Sequence, residues 1–412
     1  MRAFPQPDAA GSVFLVALVA SSHTRGNGMS KAIEFKIPRG AILFSAGGVG
    51  YEYREDLGPA HHGMSLFVAR LRAASGAPRG KVLLKAVPAP SETDGARVMR
   101  ARAKLDEQVR LAAFLKHPAI LKVHGLHKVE GYWYVSTEHP DGHSLNELLT
   151  LVGESQRWFS PLFVLYVGAQ VAAALEHAHA AKDEQGRPLN IVHRAVDVEH
   201  IFVNWDGTVQ LADFGLALSD LPGRVASSAR GPLGDHFYSS PEMLLGGSVD
   251  ARADLFTLGV VLLELATGKN LLFCPDDITP DVMASLPTKK RRRVARAVKR
   301  ATLAGAPPLV ADAIWRAATL TVADVDAMTE GLPQGLRVTL NRLLRVAPRE
   351  RYQSAGELAA DLTAWLGGTF AKADAAAELK SRPAQAEAAL DSMATLPPRG
   401  RGKRKPDNVT TA

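Results

Sequence analysis

The stretch GRPLNIVHRAVDVEHIFVNWDGTVQLADFG, residues 186–215, decides how this chain is read. Asp206-Gly207 stands between the apolar runs Ile201-Phe202-Val203 and Val209-Gln210-Leu211, and an Asp-Gly pair so flanked predicts a tight β-hairpin. The loop Ile191-Val192-His193-Arg194 opens on one side of it, and Asp213-Phe214-Gly215 closes the other.

Upstream of this hairpin, Leu162, Leu165, Val167, Val171, Leu175 and Ala178 recur at the spacing of a largely buried helix. Further back, from about Tyr51, the pattern is strand-rich. Leu66 and Val68 alternate, a turn falls near Gly80, and Val82-Leu83-Leu84 ends in Lys85. Val98 to Leu115 has helical spacing, and a strand pair follows through Tyr132-Trp133-Tyr134. The fold class is α+β: a small β-rich lobe over about 51–138, then a larger helical lobe over about 142–368 with an insertion at about 275–340.

With 46% apolar and 22% charged residues in 412, wholesale disorder, collagen and a polytopic membrane protein are excluded. The single cysteine, Cys274, cannot form an internal disulfide or a cysteine-rich zinc site. The net charge of +7 is local: KKRRRVARAVKR at 289–300 carries eight positive charges, RGRGKRKPD at 399–407 nets +4, and the remainder nets −5. The apolar run Val13–Ala20 is too short to span a bilayer, and Pro5, Pro7 and Asp8 precede it with only Arg2 as a cation. The run could serve as the core of a secretory signal, but its flank favours the other reading: residues 1–30 are expected to be a disordered leader, with Met29 as an alternative start, and the protein to be cytoplasmic. Residues 369–412, Ala-rich and then Pro- and Arg-rich, are expected to be a disordered basic tail.

Four islands occur in a fixed order: Leu57-Gly58-Pro59-Ala60-His61-His62-Gly63, Val82-Leu83-Leu84-Lys85, Ile191-Val192-His193-Arg194 and Asp213-Phe214-Gly215. Tyr238-Ser239-Ser240-Pro241-Glu242 and Asp254-Leu255-Phe256-Thr257-Leu258-Gly259 follow. In this order they resemble the two-lobed protein kinase fold of the serine/threonine class, and Gly186 to Arg194 is similar to a run in its bacterial members. The resemblance covers roughly Tyr51 to Leu366. It implies that ATP and Mg are bound, with nucleotide contacts from Gly58, Ala60, Gly63, Lys85, Glu138, His139 and Asp213. It also implies a metal held by Asp213 and the residue at position 200. Such a site works by positioning and charge neutralisation around a triphosphate. Structural roles fall to His193, Arg194, Phe214 and Gly215, to Asp254 as a cap on the loop backbone, and to Glu242 paired with Arg351.

Against that pattern the sequence departs where the chemistry lies. Ala60 replaces the second glycine of the turn. The helix position facing Lys85, nine residues before His117 of His117-Pro118, is Gln108 in place of glutamate, with Glu107 about 100° away on the helix. The substrate-facing carboxylate after Arg194 is Ala195, and the metal-holding Asn is His200, a poorer match for Mg²⁺. Eighteen residues separate Ala195 from Asp213, the family spacing, so register does not rescue the Asp. Losing a positioned base costs about 10²- to 10⁴-fold in rate. Asp197 is read as a solvated loop carboxylate or a displaced base, and Glu199 stands beside it. Gly234-Asp235 replaces the Gly-Thr of active members. Ser227 and Ser228 are phosphorylation candidates for Arg194, or plain exposed serines.

The basic run 289–300 fits an acidic partner, a phosphate contact with nucleic acid, or a plain solvated helix, and the absence of interleaved aromatic residues weighs against nucleic acid. No histidine spacing suggests a metal site. The chain reads as a pseudokinase with a regulatory or scaffolding role and protein partners among kinases or signalling components. The alternatives are a slow or unconventional ATP-dependent serine/threonine kinase and a polyanion-binding module acting through 289–300.

Overall fold

The computed structural model describes residues 37–60, 64–88, 95–155, 158–224, 235–273 and 278–381. The readings for residues 1–30, His61, His62, Gly63, Ser227, Ser228, Gly234, Cys274 and the tail beyond residue 381, with its basic cluster 399–407, lie outside the described residues.

The small lobe contains β1 (Ile42–Ala46), β2 (Val49–Ala60), β3 (Met64–Ala73), β4 (Pro78–Val87), helix α1 (Gly95–Ala112), β5 (Val123–Val129) and β6 (Tyr132–Glu138). The strands form one antiparallel sheet in the order β1-β2-β3-β4-β6-β5. The lobe starts earlier than the expected Tyr51. Gly47 and Gly48, both with positive φ, make a tight turn that returns β1 onto β2. That pairing buries Phe44, whose ring stacks on Tyr51 at 4.2 Å and Tyr134 at 4.8 Å. On the other sheet face, Val98, Ala101 and Leu105 of α1 pack against Met64, Val87 and Val135.

The large lobe begins with β7 (Gly142–Ser144), α2 (Leu145–Ser155) and α3 (Pro161–His179), and the hairpin β8 (Ile201–Asn204)–β9 (Val209–Leu211) completes a sheet in the order β7-β8-β9. Helices α4 (Pro241–Leu244), α5 (Arg252–Thr267), α6 (Pro280–Ser285), α7 (Thr288–Leu303), α8 (Leu309–Thr319), α9 (Val322–Met328), α10 (Gln334–Leu343) and α11 (Ala355–Leu366) follow. α3 and α5 are apolar on nearly all sides, which suits helices enclosed by others. Among the described residues α3 is the one helix long and apolar enough to cross a membrane, and 67% of that window is buried within the fold.

The insertion divides its loyalties. Leu336, Leu340 and Leu343 of α10 join the main core, while Val294 and Ala297 of α7 and Val310, Ala313, Ile314 and Ala317 of α8 share a second cluster with Leu244 and Leu245.

Residues 372–381, expected to be disordered, form a helix, α12, docked on the large lobe. Ala375 and Leu379 are fully buried in the main core. Glu378 accepts from Ser160 N and Oγ, both at 2.6 Å, at the start of α3. Alanine-rich composition hid this helix, because two buried contacts and one cap are enough to seat a short segment on an existing surface. It runs past the β8–β9 turn so closely that a Cβ on Gly207, whose φ is +85°, would strike the Lys372 carbonyl.

Candidate active site

The site is built where central strand β4, helix α1 and the two ends of the β8–β9 hairpin meet. Lys85 lies opposite Val135 and Leu66 in the sheet and is buried, its ammonium in an ion pair with Asp213 Oδ2. Gln108 is buried on α1, with Nε2 3.4 Å from Asp213 Oδ1. Glu107, next to it, faces elsewhere: Lys104 Nζ is 2.8 Å from one carboxylate oxygen and Arg224 Nε 3.1 Å from the other. Its charge is therefore committed to Lys104 and Arg224, and Lys85 turns to Asp213.

Asp213 has left-handed backbone torsions (φ 62°, ψ 71°), uncommon for a residue with a side chain, and accepts from Gly215 N at 2.9 Å. Phe214 is thereby turned inward, edge-on to the His193 ring at 4.4 Å. His193 is fully buried, and burial holds its imidazole below the ordinary histidine range.

Asp254, buried on α5, accepts from His193 N at 2.7 Å, Arg194 N at 2.8 Å and the His179 ring at 2.9 Å. It fixes the backbone just before Ala195. Arg194 also has positive φ, 65°, and points its guanidinium at the Leu216 carbonyl, with Nε 2.8 Å away. Burial, then the charge of Arg224, lowers its pKa to about 10. Arg351, fully buried, makes two parallel bonds to Glu242, at 2.7 and 2.8 Å.

The loop framework is thus assembled, and the side chain it presents at 195 is a buried methyl group. Asp197 is not a solvated carboxylate: it is buried, and Oδ1 accepts from Glu199 N at 3.0 Å, His200 N at 3.1 Å and His200 Nδ1 at 2.7 Å. His200 reaches back, its Nε2 3.7 Å from Asp213 Oδ2. Burial opposes charge on this imidazole, but Asp197 and Asp213 outweigh it and raise its pKa above the ordinary value. Glu199 accepts from Asn146 Nδ2 at 2.7 Å, and burial beside Asp197 raises its pKa. Asp235 caps the turn that follows it, accepting from Phe237 N at 2.9 Å.

Between the lobes lies a cavity of about 1320 Å³, with Leu57, Leu66 and Leu83 on one side and Phe202 on the other. Lys85, Gln108, Glu138, His200 and Asp213 reach it. Gly58 and Ala60 of β2 are not among the residues that line it: Gly58, next to Leu57, has φ 94° and its N–H is bonded to Asp56 at 2.8 Å, and the backbone of Ala60 pairs with Met64. His139 bonds the Pro140 carbonyl through Nδ1 at 2.7 Å in the segment joining the lobes. Gln210, which the sequence reading passed over, reaches Glu138 Oε2 from β9 at 3.2 Å. Its signal was present: a polar residue between Val209 and Leu211 must point away from the face they share.

A family model for the protein kinase domain matches residues 76–357. The chain belongs to the protein kinase family. It is 33% identical over 211 residues to "Tyrosine-protein kinase MasK" of Myxococcus xanthus, covering 50% of this chain and 31% of that one. It is 29% identical over 325 residues to "Probable serine/threonine-protein kinase SCO3848" of Streptomyces coelicolor, covering 77% and 39%. Against "Serine/threonine-protein kinase PknD" of Mycobacterium tuberculosis it is 31% identical over 265 residues, covering 63% and 32%. The chain spans about a third of the length of these three curated relatives, two of which are named as serine/threonine kinases and one as a tyrosine kinase.

Kinase domains generally bind ATP and Mg. In this kinase domain the residues at the metal positions fit a divalent cation poorly. Asp213 already faces Lys85 and His200 at one oxygen and Gly215 N and Gln108 at the other. The second position offers an imidazole whose Nδ1 is engaged by Asp197, and Mg²⁺ prefers oxygen ligands.

Proposed function

We propose that this kinase domain is a pseudokinase: a cytoplasmic signalling protein with a regulatory or scaffolding role, binding nucleotide weakly and with little help from Mg. The observation that carries the reading is Ala195, a methyl group held at the base position by a loop whose other anchors are all in place. A kinase losing its fold would lose the Asp254 and Arg351 networks too; here the departures gather on chemistry and spare the framework.

Two further observations support weakened nucleotide binding. Every oxygen of Asp213 is engaged by a protein donor. In addition, the interlobe segment contains Pro140, which has no N–H to offer a purine edge.

The rival reading is a slow serine/threonine kinase that uses Asp197 as a displaced base. Three N–H donors on one oxygen of Asp197 weigh against it. Intact-mass measurement of the full chain after long incubation with Mg-ATP, then Mn-ATP, beside Lys85→Ala, separates the two. No added phosphate on the chain or on a generic protein substrate is the expected result, and adducts that vanish in Lys85→Ala would overturn the pseudokinase reading.

A further inference from the structure

Helix α7 breaks the local rules that stabilise helices. Lys289, Lys290 and Arg291 occupy its first turns, where the helix dipole favours anions, and its N-cap, Pro287, makes no side-chain capping bond. Arg292 and Arg296, Arg296 and Arg300, and Lys289 and Arg293 are like charges four residues apart, each pair repulsive. Among the described residues no carboxylate pairs with any of these eight cations; Arg293 Nε donates to the Leu245 carbonyl and Arg296 Nε to that of Arg292. Local rules broken without internal compensation point to a surface kept for something outside the chain.

The helix is held by one side only. Val294 and Ala297 are buried, with Val298 and Ala301 packed beside them. The opposite side carries Arg292, Arg296 and Lys299, all exposed, in one row at roughly one cation per turn over about 10 Å. The row ends at Leu303, 78% exposed, with Leu309 at 51% just beyond.

We propose that this face of α7 docks an acidic helical segment of a partner protein. Carboxylates at i, i+4 and i+7 of such a segment repeat at the spacing of Arg292, Arg296 and Lys299, and an apolar residue one turn further would cover Leu303. Nucleic acid fits less well. The chain outside its two basic clusters nets −5, so a long polyanion is repelled wherever it extends past the helix, and α7 has no aromatic or amide side chain to stack on or read a base. An anionic membrane fits less well too, because the exposed apolar side chains sit at one end of the row rather than along a face.

The test uses the full chain and four probes: a synthetic helical peptide with Glu one turn apart and a terminal Leu, its Gln counterpart, a short DNA duplex, and phosphatidylserine vesicles. Binding is followed by fluorescence anisotropy, with vesicle co-sedimentation, at low and physiological salt. The Glu peptide is expected to bind best. Reversal to Arg292→Glu, Arg296→Glu and Lys299→Glu should weaken it at least about tenfold, and the milder change of all three to Gln about threefold. Thermal midpoints check that both variants fold, and the Gln set carries the test if the reversal does not. Absence of binding, equal affinity in the Gln variant, or tighter binding of the duplex or the vesicles would overturn the proposal.

Discussion

His200 Nε2 stands 3.7 Å from Asp213 Oδ2 while its Nδ1 lies 2.7 Å from Asp197 Oδ1, so one imidazole bridges the buried carboxylate of Asp197 and the partly buried one of Asp213. With Lys85 on the same Asp213 oxygen, an ammonium and an imidazole gather where a kinase domain would hold a divalent cation.

Nucleotide affinity should therefore depend little on metal. Titration calorimetry with a non-hydrolysable ATP analogue should give wild-type affinities in Mg and in EDTA within about twofold, whereas His200→Asn, which restores an oxygen donor, should gain about tenfold on adding Mg. Wild-type binding that disappears in EDTA would contradict the arrangement around Asp213.

The same bridge sets a pH dependence whose sign is defined. The folded pKa of His200 lies above its unfolded value of about 6.5, so its ionic contribution is whole below about pH 6.5 and is lost as pH rises through the folded value. Wild type should exceed His200→Leu in urea midpoint most near about pH 6, and the gap should narrow toward about pH 9. A gap that widens with pH would mean the imidazole folds neutral. His193, whose pKa is lowered first by burial, acts in the opposite direction; the charge of His200 contributes to that lowering, so the comparison cancels the burial part of it and not the part due to His200.

Because the framework around position 195 is assembled, activity should be recoverable by few changes. Ala195→Asp alone should restore little, since an imidazole still stands at the second metal position and Lys85 and His200 still face Asp213. Ala195→Asp with His200→Asn and Gln108→Glu should raise phosphoryl transfer at least about 10²-fold over wild-type background, read as adducts by intact mass. A triple variant that folds, binds nucleotide and stays silent would place the defect outside these residues.

How much of this could be read in advance differs by residue. Asp254, Glu242 and Arg351 carry structural motifs with long-range spacing, and their partners follow from the family pattern. Gln108 was found by counting back from His117. The engagement of Asp197 was not legible, because a loop carboxylate takes its role from backbone N–H groups that turn toward it only after folding. Phe44 was missed because a five-residue strand between glycine turns is too short for a periodicity. Helix 372–381 was missed because its composition describes the segment alone, whereas its stability comes from the surface beneath it.

That last helix can be tested through Leu379, fully buried at the end of a segment whose own sequence is weakly apolar. Leu379→Ala removes a side chain enclosed by the large lobe and should cost about 2–4 kcal/mol, lowering the thermal midpoint by several degrees. Glu378→Gln keeps shape but removes the charge at the start of α3, where Ser160 N and Oγ both donate to it, and should cost about 0.5–1 kcal/mol. Lys372→Ala, which breaks only an exposed pair with Asp206, should change stability by less than about 1 kcal/mol. The ranking is the test. A helix that did not dock would leave all three near the roughly 0.5 kcal/mol of ordinary surface changes, so an unchanged midpoint in Leu379→Ala would detach residues 372–381 from the lobe and, with them, the cover over the Asp206-Gly207 turn.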